Sequence, residues 1–333
     1  MRIVVALGGN ALLERTDRPD ADVERRHIRE AAAALAPLAK EHQLIVCHGN
    51  GPQIGLLAME SDADPSLTAA YPLDALGAQT QGMIGYWLTQ ELRNAGVLRP
   101  VVAVITQTVV DAADPGFASP SKFIGRTYPR SEAESLAAQH GWQVRADGPA
   151  WRRVVASPQP LGIVELDCIQ HLLHIGALVV CGGGGGSPVI RDLSGQLHGV
   201  EAVVDKDYTS TRIALDVGAD RLLLLTDVAA VMHDFGTPHA RPIDRISVDE
   251  LAELQLPAGS MGPKVAAGAW FTAATGLPSA IGALTEAADV LDGSAGTTIT
   301  GRNSPPEAPD STPGASTAKA PPGSPMSREQ QHD

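Results

Sequence analysis

Residues 2–10, Arg2-Ile3-Val4-Val5-Ala6-Leu7-Gly8-Gly9-Asn10, and residues 43–53, Gln43-Leu44-Ile45-Val46-Cys47-His48-Gly49-Asn50-Gly51-Pro52-Gln53, share one plan: a short apolar run that stops in a glycine-rich turn. Runs of this length bounded by turn residues read as strands covered on both faces. Between them, Val23, Ile28, Ala31, Leu35 and Leu38 fall on one stripe at helical spacing, so residues 22–40 read as an amphipathic helix. A helix there lets strand 43–48 run parallel to strand 2–7.

Further strand-like runs follow at 101–106, 177–181, 221–226 and 278–282, with amphipathic or Ala-rich stretches between most of them. Such alternation predicts an α/β fold with a mainly parallel sheet covered by helices on both faces. A helix is expected over 74–95, with Asp74 as its cap and Gly96 after its end. Residues 111–160 differ, with Pro115, Pro120, Pro129, Pro149, Pro158 and Pro160 and few apolar runs, and read as an excursion from the main sheet and a candidate lid. From Asn303 the chain turns Pro/Ser/Thr/Ala/Gly-rich without periodicity, a composition with too little apolar surface to offset its ordering entropy. The expected organisation is therefore one domain over 1–302 and a disordered tail over 303–333.

Hydrophobic residues make up 44% of the 333 and charged residues 19%, and no apolar run approaches the roughly 18 residues of a spanning helix. The apolar start breaks at Gly8, too early for a signal peptide, so a cytoplasmic protein is expected. A formal net charge of -13 argues against nucleic-acid and anionic-membrane partners, which select a basic face. Cys47, Cys168 and Cys181 are few, far apart and without a C-x-x-C spacing, and read as reduced, buried thiols. Basic residues are overwhelmingly Arg, with only Lys40, Lys122, Lys206, Lys264 and Lys319 as lysines. A site needing a compact ammonium beside a small anion cannot substitute the planar guanidinium freely.

Several strands end in residues suited to anions, where an open α/β sheet places its ligands. The turns Gly8-Gly9-Asn10 and His48-Gly49-Asn50-Gly51 could each bring backbone N–H groups onto a phosphate, or could be tight turns with no ligand. The run Gly182-Gly183-Gly184-Gly185-Gly186 reads better as a nest of N–H groups around an anion. Lys206, between Asp205 and Asp207 at a helix start, sits where a cation is disfavoured unless an anion answers it. Met261-Gly262-Pro263-Lys264 presents another lysine at a helix start, while Lys122, taken alone, reads more readily as surface. Neither a Walker A loop nor a G-x-G-x-x-G turn is present. Glycine cradles, three ammonium groups and a steering carboxylate together suit phosphoryl transfer, which depends on positioning and charge stabilisation. Inside a cleft local lysines outweigh the global negative charge, because screening acts over about 8 Å. His171 and His174 are spaced to share a metal but have no further ligands in view, and no residue is nominated as a metal ligand.

The motifs Val4-Val5-Ala6-Leu7-Gly8-Gly9-Asn10-Ala11, His48–Gln53, Pro72-Leu73-Asp74, Gln81–Tyr86, Ser121-Lys122-Phe123-Ile124-Gly125, Trp151–Pro158, Gly182–Pro188, Val204-Asp205-Lys206-Asp207 and Gly259–Lys264 resemble those of the carbamate kinases, in the amino-acid-kinase superfamily, from about residue 2 to 300. The resemblance implies a three-layer αβα sandwich with an open, mainly parallel central sheet, a small protruding lid subdomain over 112–155, and a homodimer. It implies the Mg²⁺-dependent reaction ATP + carbamate ⇌ ADP + carbamoyl phosphate, drawn toward ATP at the end of arginine breakdown by the arginine deiminase route. By the same resemblance Lys122 and Lys206 contact the phosphoryl group and Asp207 orients the lysines. Gly8, Gly9, Asn10, Gly49, Asn50 and Gly51 line the carbamate and phosphate region. Lys264, Met261 and Gly262 meet the nucleotide phosphates, and Thr226 and Asp227 border the nucleoside. The alternatives are a family member acting on glutamate, acetylglutamate or UMP, and a nucleotide-binding sensor without chemistry.

Overall fold

Arg2–Leu7 forms a strand buried at every position after the first. It lies between two parallel partners, Arg221–Thr226 and Gln43–His48. The computed structural model describes residues 1–9, 12–13, 17–18, 20–254 and 261–301. The expectations for Asn10, for Gly259-Ser260 and for the 303–333 tail lie outside the described residues.

The main sheet has eight strands in the order Arg245–Ser247, Thr297–Thr300, Ser279–Ala283, Arg221–Thr226, Arg2–Leu7, Gln43–His48, Leu178–Val180 and Val101–Ala103. All neighbours are parallel except Ser279–Ala283 with Thr297–Thr300. The twofold alternation of strand side chains splits the first strand between two cores. Ile3, Val5 and Leu7 pack with the helices Ala21–Glu41, Leu73–Asn94 and Ala287–Asp292. Val4 and Ala6 face the opposite core, built with Leu166–His174, Lys206–Val217 and Met261–Thr275. This is the three-layer sandwich expected.

Within the candidate lid the chain forms its own three-stranded antiparallel sheet, Lys122–Tyr128, Ala150–Val155 and Gln143–Asp147, with the helix Arg130–His140. The flanks of that excursion do something the sequence reading did not anticipate. Gln107–Val109 and Gly162–Ile163 join Ser187–Arg191 and Leu197–Gly199 in a separate four-stranded sheet. The expected strand 101–106 accordingly stops at Ala103.

Two expectations need correction. Asp74 is in the first turn of the Leu73–Asn94 helix and does not cap it. Glu201 Oε2 instead accepts the Leu73 N–H at 3.0 Å, a cap supplied from far along the chain. Cys168 is exposed, whereas Cys47 and Cys181 are buried free thiols as expected. The Leu166–His174 helix buries Ile169 and Leu173, and Cys168 falls on its other face. Among the described residues, no helix is long and apolar enough to cross a membrane.

Candidate active site

Four adjacent parallel strands, Arg221–Thr226, Arg2–Leu7, Gln43–His48 and Leu178–Val180, end side by side. Their outgoing turns interlock through missing side chains. Gly8 donates to Leu225 O at 2.7 Å, and a Cβ there would lie 3.3 Å from Thr226 Oγ1. A Cβ on Gly49 would sit 2.9 Å from both the Cα and the N of Gly9. One on Gly183 would approach His48 Nε2 to 2.3 Å, and one on Gly184 would reach Asn50 Nδ2 at 2.0 Å. The turns holding Gly8, Gly9, Gly49, Asn50, Gly183, Gly184 and Thr226 are thus brought into one surface, with Gly51 opening the Gly51–Ala63 helix at its border.

The glycine run has a packing reason of its own. Gly182, Gly184, Gly185 and Gly186 all have positive φ, and all five glycines are buried. Three of the amides are used internally: Gly182 donates to Thr106 Oγ1, Gly185 to Gly182 O and Gly186 to Gly183 O. Thr108 and Thr209 hydroxyls both donate to Gly185 O, at 2.7 and 2.9 Å. The run therefore lies close beneath His48 and Asn50 and joins them to the Lys206–Val217 helix.

That helix is capped by Asp205, whose Oδ1 accepts the Asp207 N–H at 2.9 Å. Its other oxygen holds the Lys122 ammonium, which comes from the small sheet. Asp207 bridges two lysines: Oδ1 pairs with Lys206 and Oδ2 accepts from Lys264 at 3.0 Å. The side chains of Lys206, Asp207 and Lys264 are all below 10% exposed, at 7%, 5% and 8%. Met261 and Gly262, half-buried, open the helix that carries Lys264. Thr226 donates to Asp227 Oδ1 at 2.9 Å, and the Asp227 charge acts on Lys264. Among the described residues each ammonium gives one of its three donors to an aspartate, a geometry that leaves it able to meet an anion as well.

Burial dominates the electrostatics. It pushes the Lys206 ammonium down to about 8, against the attraction of Asp207, and the positive charge of Lys264 adds to the depression. Burial pushes the Asp207 carboxyl up, but Lys206 and Lys264 together outweigh it and hold Asp207 well below the usual carboxylate range. Lys264, though also opposed by burial, is raised because Asp207 and Asp205 favour its charge. Asp205 is lowered against burial chiefly by Lys122. His48, fully enclosed, is pushed by burial to about 4 and is neutral at physiological pH; its Nδ1 lies 3.0 Å from Gly49 O.

Two residues escaped the sequence reading as parts of the site. Asp205 reads from the sequence only as a charge flanking Lys206, although a lysine between two acids contains the signal. Nothing in the sequence marked His48 as a wall of the glycine run. His171 and His174 are exposed on the Leu166–His174 helix, and no group of three or more His, Cys, Asp or Glu suited to a metal occurs among the described residues. A cavity of about 240 Å³ is lined by Asp62, Tyr71, Arg153 and Glu201, with none of the three lysines in its wall.

The model of the amino acid kinase family matches residues 1–282. A carbamate kinase from Rhizobium meliloti (strain 1021) is 50% identical over 302 residues, spanning 90% of this chain and 93% of its own length. That of Escherichia coli (strain K12) is 46% identical over 297 residues, 89% of this chain and 98% of its own. The solved structure of carbamate kinase from Giardia lamblia bound to citric acid is similar with a TM-score of 0.85 at 37% identity, covering 90% of this chain and 98% of that one. The chain is an enzyme, a kinase of the amino acid kinase family, and within that family it belongs with the carbamate kinases.

Proposed function

We propose that the chain catalyses ATP + carbamate ⇌ ADP + carbamoyl phosphate, working in the cell toward ATP as the last step of arginine breakdown. The observation that carries this reading is the buried Lys206–Asp207–Lys264 triad with the Lys122–Asp205 pair beside it, at the ends of four parallel strands. In the ATP-forming direction, a β-phosphate oxygen of ADP bonds to phosphorus as the bond from phosphorus to the carbamate oxygen breaks. Both nucleophile and leaving group are oxyanions, so no proton needs to be taken up or removed at the reacting centre. A buried neutral histidine beside the site is compatible with that, since no general base is required.

In this reading Lys206 and Lys122 hold the equatorial oxygens of the phosphoryl group, and Lys264 with Met261 and Gly262 holds the nucleotide phosphates. Asp207 supplies no proton; it fixes two ammonium groups at one spacing, so that little reorganisation is needed as charge shifts. Gly8, Gly9, Gly49, Asn50 and Gly51 present backbone to carbamate and phosphate, with Gly182, Gly183 and Gly184 behind them. Thr226 and Asp227 border the nucleoside. Asp205 and Asp207 are engaged by lysines, which fits Mg²⁺ arriving as a companion of the nucleotide, since Mg²⁺ commonly rides on substrate phosphates. When bound it would neutralise phosphate charge.

A cytoplasmic homodimer completes the reading. The Val101–Ala103 edge of the main sheet, with Ile105 and Tyr86 exposed nearby, offers a surface for a second copy. The activity is tested by ATP formation from MgADP with carbamoyl phosphate, and with acetyl phosphate in parallel. Carbamoyl phosphate should be the better donor by at least tenfold in kcat/KM. Equal use of the two, or use of neither with ADP bound, would point to a different carboxylate or phosphate acceptor.

A further inference from the structure

The Gly51–Ala63 helix and the Lys122–Tyr128 strand touch backbone to backbone at Gly55 and Gly125. A Cβ on Gly55 would lie 2.0 Å from the Cα and 2.1 Å from the N of Gly125. Neither neighbour is a side chain that could swing aside. Gly125 itself is locked in place: its φ is +70, the strand pairing shifts register between Ile124 and Thr127, and Arg152 Nε donates to its carbonyl at 2.7 Å. Around the contact, Ile54, Ala58, Ile124 and Val155 pack in one buried cluster.

Gly55 is one helical turn from Gly51. Gly125 is three residues, about 10 Å, from Lys122. We propose that the Gly55–Gly125 contact is the seat that sets the depth of the small sheet, making Gly55 a positioning residue that acts on the reaction through Lys122. The proposal rests on the reading of Lys122 as a phosphoryl contact. Carbon atoms in good contact stand about 3.5–4.0 Å apart, so a methyl on Gly55 displaces the strand by roughly 1.5 Å. A displacement of about 1 Å in a positioned group can cost on the order of 10²-fold in rate.

The test is steady-state ATP formation from MgADP and carbamoyl phosphate by Gly55→Ala, Lys122→Ala and the double variant, with ADP affinity measured alongside. Gly55→Ala should lower kcat/KM for carbamoyl phosphate about 10- to 100-fold while ADP affinity changes less than about twofold. In the Lys122→Ala background it should cost less than about twofold, because the group it positions is gone. Ile124→Ala, which loosens the seat without a clash, should show the same loss of additivity if Gly55→Ala folds poorly. Gly141→Ala strains a positive φ just past the end of the Arg130–His140 helix, in open space, and should leave turnover near that of the parent. Full additivity with Lys122→Ala, unchanged turnover in Gly55→Ala, or an equal loss in Gly141→Ala would overturn the seat. A Lys122→Ala enzyme with parental turnover would instead overturn the reading of Lys122 on which the seat rests.

Discussion

At the residue scale, the site concentrates charge where solvent is excluded. Lys206 starts a helix, the end at which a cation is disfavoured, and is buried as well. Asp207 answers both penalties, with Asp205 adding to it, and the same two carboxylates favour the Lys264 charge. The result is an ammonium held near 8, which gives the alkaline limb of activity a specific position. Because a lysine is active here as its cation, kcat/KM for carbamoyl phosphate should fall as pH rises through about 8, well below the usual 10.5. Bound phosphate adds negative charge beside Lys206 and favours the ammonium, so the fall in kcat should lie at higher pH. A kcat/KM flat to pH 10 would contradict the assignment. The lysine scarcity pointed toward this site, since three of the five lysines, Lys122, Lys206 and Lys264, lie in it. The pairing was not legible: that Lys122 meets Asp205 and Lys264 meets Asp207 depends on contacts between segments 83 and 57 residues apart.

At the element scale, six of the eight main-sheet strands are legible as apolar runs, whereas Arg245–Ser247 and Thr297–Thr300, three and four residues long, carry no run that marks them. The Lys206–Val217 helix starts at its Asp205 cap and stops at Gly218, the strands Arg2–Leu7 and Gln43–His48 stop at glycine turns, and the Ala21–Glu41 helix shows itself by its apolar stripe, without a side-chain cap at Asp20 or a glycine at its end. The four-stranded sheet was missed because its strands are two to five residues long, too short for any period to show. The glycine run was read as a ligand nest, and the structure gives it a second reason, close approach to His48, Asn50 and Val204. Those reasons can be separated by mutation. A Cβ on Gly185 would sit 2.1 Å from Val204 O at a φ of +89, whereas Gly195, at φ +87, has open space. Gly185→Ala should cost about 3 kcal/mol in urea unfolding, from overpacking plus strain, and Gly195→Ala about 1 kcal/mol, from strain alone. Equal costs would mean that packing does not fix the run.

At the scale of the whole molecule, alternation of strands and helices carries the fold, and the strand ends carry the chemistry. The described part of the sheet is complete at Thr300, where Thr297–Thr300 pairs on both sides. The Pro/Ser/Thr/Ala-rich composition of residues 303–333 has too little apolar surface to offset ordering entropy, and we propose that neither stability nor turnover depends on them. A chain ending at residue 302 should keep its kcat within about twofold and its Tm within about 2 °C. A larger loss of either would give the segment a place in the domain. The central claim, that a phosphoryl group is held by point charges fixed on Asp207, is tested most directly by single-turnover ATP formation from MgADP and carbamoyl phosphate with Lys206→Ala and Lys206→Arg. Both should be slower by about 10²–10³-fold, the arginine included, because its planar fork cannot occupy a point-charge position without moving the phosphate. Turnover near that of the parent enzyme in either variant would contradict the account.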